Sequence, residues 1–243
     1  MKVRLITNSI GVKGTEYEGK TLEEIIVGIA RVSSSRSDNE LFDEPYKLIR
    51  HCIFNGHWSV FTMVNLGFEI ETSRAIGREY LRHKGSNFQE FSQRYSSDIE
   101  LEPFELRQQA KNNRQSSTTP INVSFQQEQY LDDVFDVYET LLSKGVAKEC
   151  ARMILPECTK TTIIVNATIR EWITTLNQRL HKTAQKEARL IAEAIRDVFL
   201  AEMPIISQAL FNFDNAYNIH ILDRIVLEKH KVYELINKKR KND

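Results

Sequence analysis

Residues 82–95 read RHKGSNFQEFSQRY, and polar groups crowd there more densely than a fold requires. Upstream, Arg74, Arg78 and Arg82 recur at four-residue intervals, which on a helix predicts one cationic stripe leading into His83 and Lys84. Gly85 interrupts that pattern. The polar run behind it is expected on a loop or a fresh helix start, where free backbone N–H groups suit phosphate. Such a stripe can hold an anion, and it can equally be a solvated helix face that binds nothing in particular.

Composition narrows the choice. The 243 residues hold 33 Lys plus Arg against 33 Asp plus Glu. That balance excludes the global basic field that drives nonspecific nucleic-acid binding, so any anion site is local. The length suits one large domain, residues 1–243, closing in a helical, basic extension over about 214–243. Cys52, Cys150 and Cys158 are scattered, which predicts small buried groups in a reducing compartment rather than a disulfide framework. The histidines show no metal-ligand spacing, so no metal is expected. The opening MKVRLITNSIG lacks the apolar core of a signal peptide, and no later run approaches membrane-spanning length. A soluble, cytoplasmic protein is the expectation.

Along the chain, residues 3–7 read as a strand, and a glycine-containing connection runs through Gly19. Thr21-Leu22-Glu23-Glu24 is a capping box in front of a helical face of Leu22, Ile25, Ile26 and Ile29. Residues 33–39 read as a polar loop, after which Pro45 opens a helix buried through Leu48, Ile49, Cys52 and Ile53 and ending near Gly56. His57 and Ser59 follow at once, as loop hydrogen-bonding groups or as ligand contacts. Leu66, Phe68 and Ile70 alternate with polar neighbours, which predicts a strand with one buried face, and Ser73 then caps the arginine-striped helix. Residues 98–122 lack periodicity and read as a surface excursion able to cover a substrate. A helix traced by Tyr130, Val134, Val137, Tyr138, Leu141 and Leu142 ends at Gly145, and a short helix runs on to Pro156. Within it Arg152 interrupts an apolar run, so it requires a partner. Ala184, Ala188, Ile191, Ile195 and Val198 predict a core or interface helix, and Phe211 and Phe213 are expected core anchors.

Arg82-His83-Lys84, seven residues, then Ser92 and Gln93-Arg94-Tyr95 resembles the signature of the flavin-dependent thymidylate synthases, in which Arg-His-Arg precedes Ser by the same interval. Lys84 stands where that family usually has arginine, and FQEFSQRYS over residues 88–96 reads as in many members. The His-x-Ser segment at His57, the ARMILP segment carrying Arg152, TIREWITTLNQR over 168–179 and AQKE over 184–187 resemble further family segments in the family's order.

The resemblance implies an α+β fold, mixed helices around an antiparallel sheet, and a homotetramer with shared active sites. It implies conversion of dUMP to dTMP, with methylenetetrahydrofolate giving the carbon, reduced FAD the hydride, and NADPH recharging the flavin. It transfers contacts with the nucleotide to Glu79, Arg82, Glu90, Ser92, Gln93, Arg94, Arg152 and Arg179. Flavin contacts fall on Ser59, Arg82, His83, Lys84, Glu90, Thr168, Arg170 and Thr174, and His57 borders the folate. Arg179 would stabilise charge developing on the pyrimidine. Ser92 has no base beside it in sequence, which favours nucleotide positioning over nucleophilic attack, the minority alternative. Glu79 replaces a usual glutamine, and an ion pair with Arg82 three positions on is expected to neutralise it. Arg152 can alternatively be a partly exposed, ion-paired arginine. Two other functions stay open: a flavin-dependent methylase or hydroxymethylase of another uridine nucleotide, and a nucleic-acid-binding protein using the arginine stripe.

Overall fold

Leu66, Phe68 and Ile70 are fully buried while Glu69, between the last two, and Glu71, after them, stay partly exposed, so the period-two reading holds. They lie on β2 (Asn65–Ser73) of a computed structural model that describes residues 1–33 and 41–211. In chain order the first elements are β1 (Lys2–Asn8), α1 (Leu22–Arg31), α2 (Pro45–Asn55), a 3₁₀ turn (Trp58–Thr62), β2, α3 (Arg74–Tyr80) and β3 (Ser86–Glu90). Then come β4 (Arg107–Gln109), β5 (Ser117–Pro120), α4 (Gln127–Ser143), α5 (Lys148–Ala151) and a 3₁₀ turn (Arg152–Ile154). The last are β6 (Lys160–Thr168), α6 (Ile169–Arg179), α7 (Lys186–Glu202) and α8 (Pro204–Leu210).

The described chain forms two compact units. One comprises Met1–Thr7, Leu66–Ala167 and Thr183–Ile191; the other comprises the described residues of Asn8–Asn65, Thr168–Lys182 and 192–211. The first is built on a sheet of order β1-β2-β6-β3. β3 runs antiparallel to β6, with Ser86 opposite Ala167 and Glu90 opposite Ile163. The ion pairs Lys2–Glu71 and Arg4–Glu69 step in opposite directions along β1 and β2, the mark of a second antiparallel pair. A Cβ on Gly67 of β2 would lie 2.1 Å from Thr7 Oγ1 on β1, so any larger residue there would force the Thr7 side chain to shift. On β6, Thr161, Ile163, Val165 and Ala167 are buried, an alternation that the sequence reading passed over. On α3, Tyr80 is buried and donates its hydroxyl to the Ala188 carbonyl at 2.8 Å.

The second unit is helical. Thr21 accepts the Glu24 N–H at 3.2 Å while the Glu24 carboxylate accepts the Thr21 N–H at 2.9 Å, so the expected capping box closes and starts α1. Such a cap contributes about 1 kcal/mol. Pro45 opens α2, and Gly56 ends it at φ 69°, a left-handed conformation that glycine adopts without strain. α1 packs on α2, α2 on α8, and α6 on the 3₁₀ turn Trp58–Thr62. Phe61, Trp172, Phe199 and Ile206 are among its buried side chains.

Several expectations are corrected. Residues beyond Gly85 form strand β3 rather than a loop or helix start, because their backbone pairs with β6. The excursion over 98–122 contains the antiparallel hairpin β4–β5. Arg107 fastens it, donating to both Glu187 oxygens at 2.6 and 2.8 Å and to Glu105 at 3.1 Å. On α4 the buried residues are Leu131 and Tyr138, whereas Tyr130 and Val137 are exposed, so the apolar face is narrower than the pattern implied. Ala184 precedes α7, and Phe199 rather than Val198 is buried at its end. Cys150 is exposed and Cys158 half-buried; only Cys52 is buried as expected. Phe211 is buried. The loop at 34–39, Phe213 and the basic extension lie outside the described residues.

Glu23 on α1 is buried, and its Oε1 accepts the Ile206 N–H at 2.6 Å at the start of α8. Burial pushes its carboxyl from the ordinary 4.5 up to about 7, against the opposing pull of the Ile206 and Ile205 amides. The folded state therefore holds this proton more tightly than the unfolded chain. The stability so gained is complete below 4.5 and is lost as pH rises through about 7. Glu23→Gln is expected to melt above the parent at about pH 8, with the advantage shrinking toward about pH 5, as thermal unfolding across that range will record.

Candidate functional site

In the first unit the signature leaves the sheet at the end of β3. Glu90 closes that strand, and Arg74, at the first position of α3, reaches it at 3.4 Å while the Thr161 hydroxyl donates to it at 2.9 Å. The Glu90 carboxylate is thereby fixed from two sides. Past it the chain turns sharply, with the Ser92 carbonyl accepting the N–H groups of Tyr95 and Ser96, both at 3.2 Å. Ser92 Oγ accepts the Arg94 N–H at 3.4 Å, and neither imidazole nor carboxylate reaches it among the described residues. Among the described residues it thus lacks the neighbouring base that activates a serine nucleophile. Gln93 is 4 % exposed, and its amide nitrogen has no hydrogen-bond partner. An unmet buried donor is costly, so it is a group suited to an incoming acceptor.

Arg94 and Arg152 are brought together by a residue that the sequence reading passed over. Arg94 Nη2 lies 3.1 Å from Glu149 Oε2, and Arg152 Nε donates to the Glu149 carbonyl at 3.4 Å. Lys148 donates to the Tyr95 carbonyl at 3.0 Å, tying α5 to the signature turn. Arg152 thus has a backbone partner, and the run around it is not buried, since Met153 is 79 % exposed. The available signal was an acidic residue one helical turn before Arg152, a spacing that places it on the same helix face.

The arginine stripe does not form. α3 ends at Tyr80, before Arg82, because the chain turns at Leu81 and Arg82. Arg74 is engaged by Glu90, and Arg78 forms an ion pair with Glu157. Arg82 is exposed and has no ion pair among the described residues, so the expected Glu79–Arg82 bridge is absent. The separation falls across the helix end, where the spacing no longer places the two side chains on one face. His83 is buried with its ring 6.4 Å from that of Tyr80, and Lys84 is exposed.

The second unit carries the other predicted residues. His57 and Ser59 are exposed at the 3₁₀ turn, with the His57 ring 5.5 Å from that of His51. Thr168 caps α6 by accepting the Glu171 N–H at 3.2 Å, and the Thr174 hydroxyl donates to the Arg170 carbonyl at 3.1 Å. Both hydroxyls therefore serve their own helix. Arg170 is exposed in its first turn, and half-buried Arg179 closes it. Burial raises the Glu171 carboxyl, while the Arg170 charge beside it pulls the other way. Thr175 Oγ1 and Asn177 Oδ1 on the same helix are buried without partners.

Among the described residues, Arg82 and Lys84 in the first unit and Arg170 in the second are exposed cations outside any ion pair, each of a donor type that suits a phosphate group. Among the described residues no cluster of His, Cys, Asp or Glu could hold a metal ion, and no helix is long and apolar enough to cross a membrane.

Residues 16–205 match the family model described as thymidylate synthase complementing protein. The chain is 42% identical over 194 residues to the flavin-dependent thymidylate synthase of a Synechocystis strain, spanning 77% of this chain and 89% of that one. It is 39% identical over 198 residues to the probable flavin-dependent thymidylate synthase of Paramecium bursaria Chlorella virus 1, spanning 78% and 91%. In fold it is similar to the crystal structure of a UMP/dUMP methylase, PolB of Streptomyces cacaoi, with a TM-score of 0.68 and 23% identity over 89% of this chain and 97% of that one. With the signature turn in place and most of its length matched, the chain belongs to the thymidylate synthase complementing protein family, the family of the flavin-dependent thymidylate synthases.

Proposed function

We propose that this protein methylates dUMP to dTMP, taking the carbon from methylenetetrahydrofolate and reducing equivalents from NADPH by way of FAD. The observation that carries this reading is the meeting of Arg94, in the turn that Ser92 braces, with Arg152 at Glu149. Two guanidinium forks suit a phosphate monoester better than any neutral ligand.

Arg94 and Arg152 hold the phosphate, Gln93 donates to the nucleotide, and Glu90, fixed by Arg74 and Thr161, orients it. Ser92 shapes the turn that aims these groups. Arg179 stabilises the negative charge that develops on the pyrimidine as its carbon becomes nucleophilic. Arg82, Lys84 and Arg170 engage the flavin dinucleotide, and Ser59 and His83 complete its surroundings. Thr168, which caps α6, and Thr174, further along it, also face the flavin. When bound, FAD supplies the hydride that completes the methyl group. His57 borders the folate, and Glu79 contacts the nucleotide. Residues 1–243 act as one functional domain in a cytoplasmic homotetramer, whose subunits complete one another's sites.

The purified protein is expected to be yellow, and an absorption spectrum tests this at once. Colourless protein that also fails to take up added FAD would sink the reading, as would failure of the gene to rescue thymidine-requiring cells.

Arg179→Ala is expected to lower dTMP formation by about a hundredfold to a thousandfold while leaving FAD bound. Normal turnover of that variant at saturating nucleotide would remove Arg179 from its role.

Glu79→Gln is expected to leave dUMP preferred over UMP in binding measurements. A parent that prefers UMP, and a variant that reverses the preference, would favour instead a methylase of another uridine nucleotide.

A further inference from the structure

Glu149 is an anion among the cations assigned to a phosphate. It receives Arg94 Nη2 at 3.1 Å on its side chain and Arg152 Nε at 3.4 Å on its carbonyl, so both guanidinium groups take their position from one residue. Lys148, its neighbour, holds the signature turn through the Tyr95 carbonyl at 3.0 Å. Arg94 and Glu149 are each more than half exposed, so this is an open, solvated cluster that a ligand can reach.

A carboxylate placed there weakens anion binding, and a site evolved only for grip would omit it. Lys148, Arg94 and Arg152 against Glu149 leave two uncompensated positive charges, which matches a phosphate monoester near its full dianionic charge. A diphosphate or triphosphate carries more negative charge than this cluster can answer, and the surplus faces the Glu149 carboxylate.

We propose that Glu149 is a specificity-determining residue, a charge filter that fits the Arg94–Arg152 pair to nucleoside monophosphates and rejects di- and triphosphates. The inference rests on the reading that this pair holds the substrate's phosphate. Glu149 positions the two arginines in the free protein and then limits the charge they accept. A residue that merely tethered the arginines would affect all anions alike. A filter changes the ratio between them.

The test is equilibrium binding of dUMP and dUTP to the FAD-loaded full-length protein at fixed moderate salt, for the parent, Glu149→Gln and Glu149→Asp. The parent is expected to prefer dUMP by at least about tenfold. Glu149→Gln should narrow that preference by about tenfold through a gain in dUTP affinity, and Glu149→Asp, which keeps the charge, should retain it. Equal weakening of both nucleotides by Glu149→Gln would overturn the filter and leave a tether, with the dUMP reading intact. A parent that binds neither nucleotide would overturn the underlying reading and the filter together.

Discussion

Two backbone hydrogen bonds hold the start of α3 and the lead-in to β6 in register. The Arg74 N–H donates to the Thr159 carbonyl at 2.8 Å, and the Ala75 N–H donates to the Glu157 carbonyl at 3.0 Å. A helix leaves its first amides without internal partners, and α3, only seven residues long, makes no side-chain cap with Ser73. The lead-in to β6 supplies those partners instead. The start of α3 is thereby locked to the strand that carries Thr161, and Arg74 and Thr161 converge on Glu90 at the end of β3. The signature turn begins immediately beyond, so the positions of Ser92, Gln93 and Arg94 follow from how α3 meets β6.

Much of this architecture was legible in the chain, for physical reasons that differ by element. The capping box at Thr21 and the Pro45-to-Gly56 helix were readable because caps and breakers act locally. β2 was readable because one face is fully buried and the other polar. β6 was missed although Thr161, Ile163, Val165 and Ala167 alternate there, because Ile164 on the opposite face blurs the contrast in an interior strand. β3 was misread since its residues are polar and only pairing with β6 makes them a strand. The hairpin over 98–122 depends on Arg107 finding Glu187, a partner eighty positions away, which no local pattern encodes.

The site shows the same division. Residue types suited to phosphate could be picked out by resemblance, but their partners could not. Arg74 and Arg78 looked like anion ligands and are committed to Glu90 and Glu157. Arg94 and Arg152, fifty-eight positions apart in sequence, meet at Glu149. Charge on a helix face is therefore a poor guide to what binds there until the carboxylates that answer it are located.

In the proposed reaction a flavin, and not the folate, delivers the hydride that completes the methyl group. The direct measurement is the folate left behind when FAD-loaded protein consumes dUMP, methylenetetrahydrofolate and NADPH. The expected outcome is dTMP with tetrahydrofolate as the folate product and NADPH oxidised in proportion to the dTMP formed. Formation of dTMP with dihydrofolate and no demand for NADPH would contradict it.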